Sequence, residues 1–174
     1  MCGFMNNNCS QWHRHLGIYG LTINEEKQIL VIKKITGPYK NRYDLPGGTL
    51  NQNESMMDSL KREFIEETGF TAIVKKCCGV HDFLLNTPYN NCMFTHHIAI
   101  FYFVELLPES ISIKADIQLN CGNTEQNDSV GIEWVNLKDI CINNSSPLVI
   151  RAKEILETGI FEYTMSEYLN WHVL

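Results

Sequence analysis

The chain has 174 residues, of which 44% are hydrophobic, and its formal net charge at pH 7 is -6. This length is enough for one sizeable hydrophobic core and short for two, so we expect one domain. The acidic balance argues against a sequence-independent grip on DNA or RNA, which needs a concentrated basic surface, although metal ions would still allow phosphate binding.

Cysteine usage and hydropathy bear on the cellular environment. The seven cysteines are an odd number without a C-x-x-C pair, which is typical of reduced intracellular thiols. The N-terminus lacks a charged start followed by an apolar run, and no apolar stretch approaches the roughly 18 residues of a membrane span. We therefore expect a cytoplasmic protein with neither a membrane nor a nucleic acid as partner.

The first part of the chain predicts a leader and a strand pair. Residues 1–12, with three consecutive asparagines, indicate a loosely ordered leader, and the single domain would then span residues 13–174. Strands are predicted at 15–22 and 28–35, and the polar turn at 24–27 suggests that they form a hairpin.

A loop and a tight turn follow the second strand. Lys40 and Arg42 lie in the loop, where they could hold a phosphate or simply be solvated. The sequence of Pro46, Gly47 and Gly48 predicts a turn that exposes its backbone.

The next segment has the start and stop signals of a helix. Ser55 and Asp58 resemble a capping box, and Gly69 suits the position after the last turn, so a helix is predicted at 56–68. Spacings of three and four residues give it an apolar side, which we predict to consist of Met57, Leu60 and Phe64.

Further strands and a second helix complete a mixed α/β pattern. Strands are predicted at 71–80, at 96–107 and at 130–135, and the second of these is apolar on both faces and therefore central. The helix begins after Ser146 with Pro147 in its first turn and ends near Gly159. The residues after it could be helix or strand.

The first helix carries the strongest chemical signal. Glu63, Glu66 and Glu67 have helical spacings of three and four, so three carboxylates crowd onto one face. Clustered carboxylates are ligands that Mg²⁺ prefers, and carboxylate-bound metal neutralises charge when a phosphoanhydride is hydrolysed. Such a cluster is often only a solvated helix face, so the flanking residues decide its meaning.

Those flanking residues complete a longer pattern, G-x5-E-x7-R-E-U-x-E-E-x-G-U, in which U is bulky and apolar. Its positions are filled by Gly48, Glu54, Arg62, Glu63, Phe64, Glu66, Glu67, Gly69 and Phe70. This pattern resembles the signature of the Nudix hydrolases at every defined position, and nine positions at fixed spacing are far more specific than a lone glycine motif. The resemblance implies a Nudix-like α/β/α sandwich with a mixed sheet.

The resemblance also implies roles for individual residues. Metal ligands would be Gly48, through its carbonyl, and the three glutamates Glu63, Glu66 and Glu67, with Mg²⁺ or Mn²⁺ as the cofactor. Arg62 would orient a glutamate by a salt bridge, and Glu54 would help to fix the loop. A further carboxylate would come from Asp128, six residues before Trp134, or from Glu125 in its place.

The implied activity is metal-dependent hydrolysis of a nucleoside diphosphate linked to another moiety, with a nucleoside triphosphate or related nucleotide as the first substrate class. ADP-ribose, dinucleoside polyphosphates and nucleotide sugars remain alternatives, as do a non-catalytic nucleotide sensor and an isomerase. The oligomeric state is open, and the family resemblance allows a homodimer.

Other side chains are weaker candidates. Aromatic rings could stack on a nucleobase but are more often core residues, and the relevant ones are Tyr43, Phe83 and Tyr89. Trp134 is interpreted as a core residue. His81, His96, His97 and Cys77 lack zinc-ligand spacing, so packing or surface positions are favoured for them.

Overall fold

A computed structural model describes residues 11–87, 92–107 and 129–174 of the chain. Its elements are, in order, β1 (Trp12–Leu21), β2 (Gln28–Lys34), β3 (Tyr43–Asp44), β4 (Gly47–Thr49), α1 (Met56–Thr68), β5 (Ala72–Leu85), β6 (Phe94–Leu106), β7 (Ser129–Asn136), α2 (Pro147–Thr158) and β8 (Thr164–Tyr168). Residues 1–10 of the predicted leader lie outside the described residues, and Trp12 already belongs to β1.

The described strands form two sheets. A five-stranded sheet has the order β4-β1-β6-β5-β8, in which β1 with β6 and β5 with β8 are parallel and the other neighbours are antiparallel. A three-stranded antiparallel sheet has the order β3-β2-β7. The predicted mixed α/β fold and the central position of β6 are therefore confirmed.

The larger sheet lies between the two helices because side chains alternate along its strands. Ile18 of β1 and Ile100 of β6 share a core with Leu60 and Phe64 of α1. The neighbouring strand residues point the other way and share a second core with α2, whose buried members are Leu148, Val149, Ala152 and Ile155. This arrangement is an α/β/α sandwich.

Both helices begin and end at their predicted signals. The Ser55 side chain accepts a hydrogen bond from the Asp58 amide, and Gly69 ends α1 with a φ of 67°. Ser146 caps α2 in the same way, and Gly159 ends it. The predicted apolar side of α1 is wrong at Met57, which is 49% exposed because the sheet lies under Leu60 and Phe64 instead.

The predicted hairpin is also wrong. β1 and β2 come together only at an isolated bridge between Ile23 and Ile29 and then enter different sheets. Each strand has two other neighbours, so the backbone groups that a hairpin would use are paired elsewhere.

Strand β5 runs past its predicted end, since residues 84–85 continue its pairing with β6. Two irregularities in register, near 74–76 and 77–79, interrupt the side-chain alternation within the strand. No helix in the described ranges is both long and apolar enough to cross a bilayer.

Candidate active site

The tight turn before α1 is held against strand β1. Gly48 pairs with Ile18, and Gly47 has a φ of 141°, which disfavours any side chain. A Cβ atom on Gly47 would lie 2.1 Å from the carbonyl oxygen of Ile18, so the close approach also requires glycine. The turn is thereby fixed at the edge of the sheet beside α1.

Gly48 lies directly against the first glutamate of the cluster. A Cβ atom on Gly48 would be 2.7 Å from both Cδ and Oε2 of Glu63, closer than any ordinary contact. Glycine at this position therefore allows the Glu63 carboxylate to rest against the backbone of the turn.

Arg62 gathers three carboxylates around one guanidinium group. Its Nε and Nη2 donate to Glu54 at 3.2 and 2.9 Å, and its Nη1 donates to Glu63 at 2.8 Å and to Glu66 at 3.1 Å. These interactions raise the pKa of Arg62, chiefly through Glu54. Arg62 is thus the organising cation of the cluster.

Glu54 closes the loop between the turn and α1. It accepts from Arg62 and, at 2.7 Å, from the amide of Asn51. The Arg62 hydrogen bond, followed by the Asn51 amide, lowers the pKa of Glu54 to about 2. Glu54 is therefore ionised across the physiological range, as its predicted role in fixing the loop requires.

Glu67 is seated more deeply than Glu66. Its Oε2 accepts from the Gly47 amide at 2.9 Å, and its Oε1 lies 4.0 Å from the Lys34 Nζ. The Glu67 side chain is 6% exposed, whereas that of Glu66 is 51% exposed. The cluster thus has an inner carboxylate tied to the glycine turn and an outer one at the rim.

The donor chemistry of this cluster suits a hard divalent cation, because its oxygens are carboxylate and backbone oxygens. In the part of the chain that the structure describes, however, no three carboxylate, imidazole or thiol side chains converge in a geometry that would already hold a metal. The carboxylates are arranged around Arg62 and the Gly47 amide instead. Asp128 and Glu125, predicted as a further ligand and its substitute, lie outside the described residues.

A cavity of about 470 Å³ adjoins the cluster. Lys34, near Glu67, and Thr49, next to Gly48, lie in its wall, so the cavity opens beside the carboxylates. The rest of its lining comes from β1, from β3, from β6 and from the loop after β2, and includes His13, His15, Tyr19, Tyr39, Asp44, Thr95 and His97. A ligand in the cavity would thus lie alongside the glutamate cluster.

Sequence reasoning missed these cavity residues. His15 and His97 face each other across the parallel pairing of β1 with β6, and that partnership joins residues 82 positions apart in the sequence. One signal of the cavity was present in the sequence: His13 and His15 are two residues apart in β1, which places both side chains on one face of the strand.

A hydrogen-bond chain runs through the side chains that line the cavity. His97 contacts the Tyr19 hydroxyl through Nε2 and the Tyr39 hydroxyl through Nδ1, both at 2.9 Å, and His15 Nε2 lies 3.4 Å from the Tyr19 hydroxyl. Burial lowers the pKa of His97 well below 6.5 and raises the pKa of both tyrosines. The central groups are neutral, so one His97 nitrogen donates and the other accepts.

The other residues that the sequence offered for stacking on a base or binding a phosphate do not line the cavity where the structure describes them. Phe83 is a core residue, and Tyr43 donates to Glu133 at 2.9 Å. Arg42 is buried against Trp171, away from the cavity lining, so neither a solvated nor a phosphate-binding position describes it. Lys40 is exposed, and Tyr89 lies outside the described residues.

Two of these residues depart from simple packing. Trp134 is half-buried against the core beneath α1, which partly agrees with its interpretation as a core residue. His96 pairs with Asp82 at 2.9 Å on the sheet rather than lining the cavity.

Comparisons with known proteins find relatives that match part of the chain. The chain is 37% identical over 65 residues to a Bacillus subtilis protein provisionally named an 8-oxo-dGTP diphosphatase, covering 37% of this chain and 42% of that one. It is 35% identical over 69 residues to the ADP-ribose pyrophosphatase of Methanocaldococcus jannaschii, covering 40% of each. The chain thus spans about two fifths of the length of the curated relatives that it matches.

Solved structures share the fold. The MutT protein of Bacillus halodurans superimposes with a TM-score of 0.59 at 18% identity, covering 91% of this chain and 94% of that one. The NUDIX domain model matches residues 13–158, which is most of the chain. The chain therefore belongs to the NUDIX domain family.

Proposed function

We propose that the chain is a metal-dependent pyrophosphohydrolase that cleaves a phosphoanhydride bond in a nucleoside diphosphate linked to another moiety, with a nucleoside triphosphate or related nucleotide as the substrate class. The observation that carries this proposal is the carboxylate cluster around Arg62, at the Gly47–Gly48 turn and beside a cavity. We also propose that residues 13–174 form one domain.

The proposed metal is Mg²⁺ or Mn²⁺. When bound, it would neutralise charge on the phosphate oxygens and activate water for attack. Glu63, Glu66 and Glu67 would hold it with the Gly48 carbonyl, and Asp128 or Glu125 is the further proposed ligand.

The residues of the chain supply the positioning. Arg62 keeps the carboxylates on one side of the helix, since Glu63 and Glu66 both accept from its Nη1. Glu54 fixes Arg62 in turn through two hydrogen bonds. Lys34, in the cavity wall beside Glu67, is placed to contact a substrate phosphate.

The cavity supports a nucleotide substrate. Its volume of about 470 Å³ lies within the range of roughly 300–1,000 Å³ that is typical of small-molecule sites. Its neutral Tyr19–His97–Tyr39 chain offers hydrogen-bond donors and acceptors that suit a base or sugar. The Asp44 carboxylate also lines the cavity, and its Oδ1 accepts from the Leu45 amide and the Ser146 hydroxyl. The charged phosphates would then lie toward Lys34 and the carboxylates.

ADP-ribose is the second candidate substrate. The specific observation in its favour is the similarity to an ADP-ribose pyrophosphatase over 69 residues. A nucleotide-sensing module without turnover is less favoured, because Glu63, Glu66 and Glu67 are all present and gathered at the turn.

A substrate panel tests the proposal. Nucleoside triphosphates, including 8-oxo-dGTP, would be compared with ADP-ribose, nucleotide sugars and dinucleoside polyphosphates, with release of phosphate, pyrophosphate and monophosphate measured. We expect Mg²⁺- or Mn²⁺-dependent release of a nucleoside monophosphate, which chelation abolishes. Metal-independent turnover, or none across the panel, would contradict the proposed activity.

A further inference from the structure

The loop after β2 forms one wall of the cavity. Thr36, Gly37, Pro38 and Tyr39 all line it, and Tyr39 also ends the hydrogen-bond chain through His97. The position of this short segment therefore sets the width of the cavity and the placement of the Tyr39 hydroxyl.

The C-terminal segment, residues 164–174, packs against that loop without lining the cavity. The indole N–H of Trp171 donates to the Pro38 carbonyl at 2.7 Å, and the Trp171 ring meets the Tyr39 ring edge to face with centroids 5.9 Å apart. Trp171 is only 8% exposed, so the loop and the segment share a buried contact. The Tyr39 ring thus lies between the Trp171 indole and the His97 imidazole, whose centroid is 5.8 Å away.

Arg42 adds a second connection between loop and segment. Its guanidinium carbon lies 4.1 Å from the centroid of the Trp171 ring, a cation–π geometry, and its Nη1 donates to the His172 carbonyl at 2.7 Å. Asn41 donates to the Leu174 carbonyl at 2.8 Å. Trp171, His172 and Leu174 therefore all find partners in one loop, and none of the three lines the cavity.

The segment is itself anchored in the large sheet. β8 pairs in parallel with the end of β5, from His81 opposite Thr164 to Leu85 opposite Tyr168. The Trp171 amide then donates to the Tyr168 carbonyl, and the two rings meet edge to face. The sheet, rather than the loop alone, thus fixes the location of Trp171.

We infer that Trp171 is a positioning residue for substrate recognition: it holds Tyr39 and the cavity wall in place and so controls substrate affinity rather than the chemical step. This inference rests on the proposed function for its substrate. The family match covers residues 13–158, so Trp171 lies C-terminal to the matched range.

Two variants and a matched control test the inference. Trp171→Ala removes the ring, whereas Trp171→Phe keeps an aromatic edge and removes the N–H donor. Met165→Ala is the control, because Met165 lies in the same segment, on β8, with its side chain 55% exposed. We expect Trp171→Ala to raise KM about tenfold with kcat within about twofold, Trp171→Phe to raise it less, and the control to match wild type.

Two readouts do not depend on turnover. Hydrogen exchange of peptides covering residues 36–42 should speed up in Trp171→Ala, since the backbone N–H of Asn41 donates to the carbonyl of Lys34 at the end of β2. The imidazole nitrogen signals of His97 should also change, because Tyr39 contacts its Nδ1. Neither readout should change in Met165→Ala.

The outcomes separate the two proposals. If wild type hydrolyses no nucleotide, the proposed function fails, while loop exchange and the His97 signals still decide whether Trp171 positions Tyr39. The inference would be overturned if the folded Trp171 variants kept the KM and the loop hydrogen exchange of wild type. It would also be overturned if they lowered kcat and left KM unchanged. Should Trp171→Ala fail to fold, Trp171→Phe is judged by the same criteria.

Discussion

Replacing Gly48 with alanine tests whether the turn positions Glu63. The new Cβ would lie 2.7 Å from Glu63 Cδ, where ordinary contacts begin at 3.4 Å, so the carboxylate must move by about 0.7 Å. Gly48 is not among the glycines with positive φ, so its backbone accepts alanine without strain. The substitution therefore acts on the Glu63 side chain more than on the fold.

The expected loss follows from that displacement. Misplacing a catalytic group by about 1 Å costs on the order of a hundredfold, so a shift of about 0.7 Å should lower kcat roughly 10- to 100-fold. This corresponds to about 1.4–2.7 kcal/mol in the activation free energy. The free energy of unfolding should change by less than about 1 kcal/mol, because the displaced atoms are the far end of a flexible side chain.

A double-mutant cycle identifies the route of the effect. Turnover of a nucleotide and Mn²⁺ affinity by calorimetry would be measured for Gly48→Ala, for Glu63→Ala and for the double variant. With Glu63 truncated, Gly48→Ala should cost no more than about twofold further, since the clashing group is gone. Full activity of Gly48→Ala, or an equal loss in both backgrounds, would refute the reasoning.

Three further predictions concern the cluster, the core and pH. Glu66→Gln or Glu67→Gln should lower turnover about a hundredfold or more while leaving the urea midpoint near wild type, and near-wild-type hydrolysis would show that the site is misassigned. Phe64→Ala should lower the free energy of unfolding, measured in urea, by about 3–5 kcal/mol because Phe64 is fully buried. Ile65→Ala, at an exposed neighbouring position, should change it by no more than about 0.5 kcal/mol. Equal losses in the two variants would contradict the packing described for α1. Burial lowers the pKa of His81 to about 4 in the folded protein, so that as the pH falls the histidine is protonated in the unfolded chain before it is protonated in the folded one. Thermal stability should therefore fall as the pH drops from about 6.5 toward 4. His81→Asn should reduce that slope, and an unchanged slope would exclude His81 as a cause.

Local signals predicted the elements that depend on neighbouring residues. The Ser55 cap and the left-handed Gly69 fix the ends of α1 through contacts no more than four residues apart. The same locality explains why the glutamate cluster could be placed on one helix face from spacing alone. Arg62, beside Glu63 and four residues before Glu66, belongs to the same short range.

Features that depend on distant pairing were missed. A polar turn between two apolar runs predicts a hairpin, yet whether the strands stay together depends on β6 and β7, which come at least 60 residues later. The sequence placed Arg42 in a loop, either holding a phosphate or solvated, but Trp171, 129 residues away, buries it. The His15–His97 side of the cavity has the same cause, since β1 meets β6 only in the folded sheet.

The charge balance of the cluster explains why its carboxylates are gathered around Arg62. Four glutamates, at positions 54, 63, 66 and 67, share contacts with two cations, Arg62 and Lys34, which leaves an excess of about two negative charges. Like-charge repulsion alone would spread these side chains. Because Arg62 already holds them together, less conformational entropy is lost when they bind a cation than would be lost without the arginine. A divalent cation would neutralise the excess that remains, and Arg62 would then share the Glu63 and Glu66 carboxylates with it. Replacing Arg62 with methionine should therefore weaken Mn²⁺ affinity despite making the cluster more negative, and tighter binding would show that arginine only competes with the metal.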